Sequence, residues 1–335
     1  MRLLWRERCG GWIRSAAATR DRVFLGDEDT GVLLCRDAAT GAKLWQLDAG
    51  APVRHPRIAG DILVVATSRG ALGVTLEGEV AWKLETPFAC FEPTFDGASI
   101  YVWSAKTSLA SASEGVIYRL DPRSGKVAWK TSAYGGAHTP ARIVVRDGRT
   151  WGVNYEGVVF CLDAEGGKEI WRRETRMTFG SPDLGADRLF AKDMFGQVRA
   201  FSTSDGTLLW ESPALSHPGE GSGVSVSNGR VLYGENDGTI YCLSADTGAV
   251  VWSFHAADAF FGPDEEPLVI GRFVFCLKEG VLTRLGLDDG KVTARLDLED
   301  RRFVLTRPVY ARGRVFCLIK DTLYAVELEP PPRLY

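Results

Sequence analysis

Only four histidines occur in 335 residues, no two cysteines are adjacent, and nowhere do 18 apolar residues follow one another. The last absence leaves no transmembrane helix to expect. No HExxH, no GxSxG and no phosphate-binding glycine loop occurs, so the common zinc-protease, serine-hydrolase and nucleotide signatures are missing. Charge of one sign is not concentrated either: 40 Lys plus Arg stand against 43 Asp plus Glu, a formal charge of -3 without a run of like charges. Nucleic acid is therefore not the expected partner, because phosphate binding draws on clustered cations. The N-terminus, MRLLWRERCGGW, has no uninterrupted apolar stretch and no small-residue cleavage site, so neither export nor membrane insertion is expected.

What the chain has in quantity is tryptophan at a fixed interval. Trp5, Trp45, Trp82, Trp129, Trp171, Trp210 and Trp252 follow one another at 40, 37, 47, 42, 39 and 42 residues. A period of that length belongs to four-stranded propeller blades. Four residues before each of the last six tryptophans, and again at Gly290, stands a glycine: Gly41, Gly78, Gly125, Gly167, Gly206 and Gly248. Asp, Ser or Thr ahead of the glycine suits a type I turn, with the glycine at the left-handed position that closes it. A second turn signal, such as Asp29-Thr30-Gly31 or Asn236-Asp237-Gly238, precedes the strand before it, giving two hairpins and four antiparallel strands per unit.

Hydrophobic residues make up 45% of the chain, enough for a large core. A repeat array of this size forms one closed body rather than two domains. The chain is read as a single all-β domain over 1–328, an eight-bladed propeller, followed by a proline-rich tail over 329–335. The eighth unit, from Gly313 through GRVFCLIKDTLYAVEL, lacks an outermost strand, while Trp5 has no unit before it. The strand carrying Trp5 should therefore complete the last blade and close the ring, removing exposed sheet edges. Each tryptophan is expected to dock between neighbouring blades, its N–H on a backbone acceptor. The seventh unit has Ala294 in the tryptophan place, so that joint should be the least firmly docked.

The units DAATGAKLW (37–45), DAEGGKEIW (163–171) and SADTGAVVW (244–252) resemble the pyrroloquinoline-quinone (PQQ)-like repeat family and its tryptophan docking motif. The resemblance spans Trp5 to about Leu328. Its quinone-dependent dehydrogenases are longer, exported and calcium-binding, and the alcohol enzymes have a vicinal Cys-Cys disulfide that this chain lacks. Its other branch resembles the small scaffold propellers of outer-membrane protein assembly, which bind a partner and catalyse nothing. Size favours the scaffold type, although the lipobox cysteine and signal of that branch are absent.

Seven cysteines is an odd number. Cys35, Cys161 and Cys242 each stand six residues before the repeat glycine, and Cys276 and Cys317 hold matching places in the last two repeats. Recurrence in a strand reads as a small buried hydrophobe, and the free thiols are expected to sit in a reducing cytoplasm. A periplasmic chain whose leader has been cut off is the weaker alternative.

Prolines recur near the start of each expected inner strand, at Pro56, Pro93, Pro140, Pro182, Pro267 and Pro308, where a missing N–H costs least. Residues beside them should surround the channel mouth: His55, Glu92, His138, Glu266 and Arg307 are the candidate ligand site for a polar small molecule or a quinone. The same loops carry Phe88, Phe91, Phe179, Phe260, Phe261 and Phe303, an aromatic set of the kind found at protein-binding hot spots. The leading expectation is a non-catalytic, cytoplasmic scaffold, a monomeric propeller within a complex, that binds another protein through this face. No catalytic residue, metal or cofactor is expected. The alternative is a ligand-binding protein or enzyme using the mouth.

Overall fold

The computed structural model describes residues 1–106, 114–132, 142–176, 178, 180–215, 221–235, 237–256, 266–302 and 307–329. These form eight four-stranded antiparallel sheets. In the first blade the strands run from the inside outward as Ile13–Ala18, Arg22–Asp27, Val32–Asp37 and Lys43–Asp48. Six more blades repeat that order along the chain. The eighth takes Val309–Ala311, Arg314–Ile319 and Thr322–Glu327 from the C-terminal part and Arg2–Arg8 as its outer strand. Arg2 pairs with Glu327 and Arg8 with Thr322, so the ring closes through a hydrogen-bonded seam, as expected from the lone Trp5.

The middle strands are buried on both faces, and their apolar side chains form eight clusters, each shared by two neighbouring blades. One joins Phe24, Leu33 and Cys35 of the first blade to Val53, Leu63 and Val65 of the second. The last joins Phe316, Leu318 and Leu323 of the eighth to Val23 and Leu25 of the first. Hydrophobic burial therefore acts between blades rather than within them, which is why a single unit is not stable alone.

The outer strands show how the repeat builds those joints. In each of the first seven blades the register slips by one residue just ahead of the tryptophan place: Cys35 faces Trp45 while Arg36 faces Lys43, leaving Leu44 bulged. The same slip recurs at Gly73/Val74 and at Arg119/Leu120. A bulge strengthens the local twist and re-aims the next side chain. The indole then lies over the turn glycine of the following blade. A Cβ on Gly125 would stand 2.5 Å from Trp82, and one on Gly41 would stand 2.7 Å from Trp5, so these turns accept no larger residue. Their φ values of +66° and +77° would strain one in any case.

Six indole nitrogens donate to a carbonyl in that same turn. Trp45 reaches Leu76 at 3.0 Å, Trp82 reaches Pro122 at 2.8 Å and Trp129 reaches Ala164 at 2.8 Å. Trp171, Trp210 and Trp252 donate to Thr203, Ala245 and Leu287 at 3.2, 3.1 and 2.8 Å. Trp5 does not follow. The corresponding carbonyl, of Ala38, accepts from Arg314 Nη1 at 3.3 Å, and the Trp5 nitrogen is buried without a partner. Ala294 has a reason too: the glycine turn its tryptophan would cover falls in the eighth blade between Glu327 and Arg2, where the two ends of the chain meet. Leu296 and Met1 pack into the cluster at that joint instead.

Candidate functional site

The inner strands bring one stretch from each blade to the top of the channel, and there the repeat stops repeating. A cavity of about 270 Å³ is lined by Arg14 of the first blade, His55 and Arg57 of the second, Glu92 of the third, Glu266 of the seventh and Arg307 of the eighth. Short side-chain bonds to the neighbouring backbone hold the inner strands in place. Ser15 Oγ accepts from His55 N at 2.8 Å, Thr94 Oγ1 donates to Ile143 O at 2.6 Å, and Ser181 Oγ accepts from Arg142 N at 3.1 Å. Asp183 Oδ2 accepts from Val226 N at 2.8 Å. In the sixth blade Gly223 lies against this wall: a Cβ on it would fall 2.6 Å from Glu266 Oε1.

His55 has φ +48° beside a register slip between Arg54 and Arg57. A non-glycine residue held in this region is strained, and such strain collects at functional sites. Electrostatics at the mouth is tightly coupled. Arg307 lies 3.6 Å from Glu92 Oε1 and 3.9 Å from Glu266 Oε2, while Arg54 and Arg14 share Glu28 at 3.2 and 3.6 Å. Burial pushes the Glu92 carboxyl upward, but Arg307, Arg142, His55 and Arg57 together reverse this and bring it down to about 2. Burial also lowers the His55 imidazole, against the opposing pull of Glu92 and Glu28, and keeps it neutral near pH 7. The Arg142 guanidinium is pushed down by burial but raised more by Glu92, Glu266 and Asp183.

Of the residues expected at the mouth, the structure brings together His55, Glu92, Glu266 and Arg307; His138 lies outside the described residues. Arg57, which lines the cavity, and Arg142, whose charge acts on Glu92 and Glu266, escaped the sequence reading, which counted the residues just before each proline. Arg57 and Arg142 stand one and two places after Pro56 and Pro140. Among the aromatic candidates, Phe88 is half-buried at the end of its loop, its carbonyl accepting from Thr86 Oγ1 at 2.6 Å and Ser104 Oγ at 2.9 Å. Phe91 is corrected: at 4% exposure it packs with Tyr101, Trp103 and Phe160 between the third and fourth blades, because an aromatic ring this close to an inner strand fills the joint. Phe179, Phe260, Phe261 and Phe303 lie outside the described residues, as does most of the tail. His255 is a neighbour of Thr239, with Nδ1 at 3.3 Å from its hydroxyl. Among the described residues no group of three or more His, Cys, Asp or Glu is placed to hold a metal ion. Among the described residues no helix is long and apolar enough to cross a membrane, which says nothing about strands.

On the same face a second charged pair is fully buried. Lys192 Nζ lies 3.1 Å from Glu235 Oε1, with side-chain exposures of 0% and 1%. Burial lowers the Lys192 ammonium, opposed by Glu235 and Asp193. Nothing in the local sequence, RLFAK, announces a buried cation.

Closed ring, rim tryptophans and a mouth without a nucleophile–base pair among the described residues define the class: an eight-bladed β-propeller of PQQ-like repeats. The chain belongs to the family described as outer membrane protein assembly factor BamB, whose profile matches residues 2–110, 113–218 and 195–302. An outer membrane protein assembly factor BamB from Shewanella oneidensis is 23% identical over 270 residues, 77% of this chain and 67% of that relative. In a second relative of the same description the matched stretch is 61% of its length. Among solved structures, BamB from Moraxella catarrhalis superposes with a TM-score of 0.73 at 19% identity, covering 98% of both chains. A europium-containing methanol dehydrogenase shares the fold at 0.72 and 12% identity, covering 95% of this chain and 85% of its own.

These relatives correct the expected location. The family's work lies at the outer membrane, so a cytoplasmic placement does not stand. The thiols that suggested it carry no information about compartment: six of the seven are buried, and burial pushes Cys35, Cys161, Cys242 and Cys276 up to about 12, leaving them inert core residues.

Proposed function

We propose that this chain is a non-catalytic scaffold in outer-membrane protein assembly, holding a protein partner against the face that carries the channel mouth. The observation that supports this reading most is the division of labour along the repeat. The rim positions recur at six joints and are used up in joining blades, while the mouth loops vary in sequence and supply Phe88 and the arginine–glutamate cluster. Partner surfaces of this kind combine a few aromatic anchors with charged groups that set orientation. The aromatics Phe179, Phe260, Phe261 and Phe303 belong to the same loops by sequence and extend the proposed surface. Family membership supplies the setting.

A photo-reactive amino acid placed at Phe88 and, separately, at Leu44 on the exposed outer strand tests the face. Position 88 should cross-link to a protein of the outer-membrane assembly apparatus, and Phe260→Ala with Phe261→Ala should abolish the adduct. Cross-linking to such a protein from position 44 alone would show the face to be wrong.

A further inference from the structure

Among the described residues, the channel mouth has two arginines that none of its carboxylates holds at ion-pair distance. Glu28 is taken by Arg14 and Arg54, at 3.6 and 3.2 Å. Arg307 spans Glu92 and Glu266. The Asp183 carboxylate is engaged by backbone N–H groups, those of Leu184 at 2.9 Å and Val226 at 2.8 Å. That leaves Arg57 and Arg142. Neither guanidinium makes a hydrogen bond or ion pair with a described residue; the one bond of Arg142 comes from its backbone N–H.

Both arginines act on the same point, since each stabilises the ionised Glu92, and Arg142 and Arg307 in turn depress Arg57 after burial has done so. Both side chains are half-buried; holding an arginine partly out of water without matching its planar set of donors is unfavourable, and an incoming acceptor relieves it. A carboxylate fits that set in bidentate fashion. Charge decides the number. Among the described residues at the mouth, Arg14, Arg54, Arg57, Arg142 and Arg307 face four carboxylates, a surplus of one; a dianion would meet repulsion from Glu92 and Glu266 on the same wall.

We propose that the channel mouth binds a single carboxylate group between Arg57 and Arg142, with His55 at its edge. The cavity, about 270 Å³, admits a small organic acid or the last residue of a peptide. The carboxylate belongs either to a free acid or to the end of a protein chain. The inference does not rest on the partner-binding reading: a free acid binds with or without a protein on the face.

Two probes are titrated into the full chain at low salt: a dye-labelled tetra-alanine peptide with a free C-terminal carboxylate, against its amidated twin, by fluorescence anisotropy, and propionate, by ligand-observed NMR. At least one carboxylate should bind, the free-acid peptide at least ten-fold more tightly than the amide if the source is a protein end, and propionate if the source is a free acid. Arg57→Gln with Arg142→Gln should abolish that binding. Glu92→Gln removes the internal competitor and should tighten it several-fold, an effect that mere structural damage would not produce. Absence of binding by both carboxylates, equal binding of acid and amide without propionate binding, or a double variant that folds and binds as before would overturn the proposal. If the double variant fails to fold, Glu92→Gln decides: tighter binding supports the site, and unchanged or weaker binding refutes it.

Discussion

The rim and the mouth of this propeller are built from the same repeat and could hardly differ more in how they use it. At the rim a bulge, an indole and a turn glycine recur blade after blade, with six indoles donating to equivalent carbonyls between 2.8 and 3.2 Å. At the mouth, among the described residues, arginine, histidine, glutamate, serine and glycine occupy related places, and the chemistry changes around the ring. Positions that do the same task at joint after joint stay alike, and positions free of that task vary. On the proposed reading, fold and function therefore sit at different radii of one disc.

The largest effect that sharpens this contrast is expected at the rim. Trp82→Ala should destabilise the chain by about 3–5 kcal/mol, the cost of a deleted buried aromatic, measured by urea unfolding. A loss below about 1 kcal/mol would remove the rim from the account. Acid should probe the mouth at a somewhat smaller scale. The folded-state pKa of Glu92 lies below its ordinary value of 4.5, at about 2, so its contribution is complete above 4.5 and disappears as pH falls toward 2. That window is worth at most about 3 kcal/mol at 1.36 kcal/mol per pKa unit. Stability of Glu92→Gln should change less between pH 4.5 and 2 than that of the unaltered chain; parallel curves would break the electrostatic description of the mouth.

Smaller again is the difference within the rim. Trp5 lacks the hydrogen bond its counterparts have, so Trp5→Ala should cost about 1 kcal/mol less than Trp129→Ala. The eighth blade is flanked by this incomplete joint and by the one at Ala294. Amide exchange should accordingly be fastest, among blade cores, in Arg314–Ile319 and Thr322–Glu327; uniform protection around the ring would contradict it. Smallest in stability is Phe88→Ala, expected within about 0.5 kcal/mol of the unaltered chain, in keeping with a half-exposed loop residue, while weakening partner capture.

Legibility in the sequence follows the same division. Tryptophan and glycine at a fixed interval revealed the blades, and the unmatched Trp5 revealed the closure, because a joint repeated around a ring leaves a periodic trace. The bulge ahead of each tryptophan was not legible, since Leu44, Ala81 and Thr293 have nothing in common but their place. Proline marked the inner strands well enough to find His55, Glu92, Glu266 and Arg307. It did not reveal Arg57 and Arg142, whose importance comes from convergence across blades rather than from spacing along the chain. Phe91 misled for the opposite reason: its loop position suggested exposure, but blade packing buried it. Location was misread from buried thiols that report on packing alone.

The most direct test of the division between a structural rim and a binding mouth is amide hydrogen exchange of the full chain alone and with the protein captured through position 88. The account predicts slowed exchange in the mouth loops around His55 and in 86–93, with the outer strands Lys43–Asp48 and Leu208–Glu211 unchanged. Slowed exchange confined to those outer strands would contradict it.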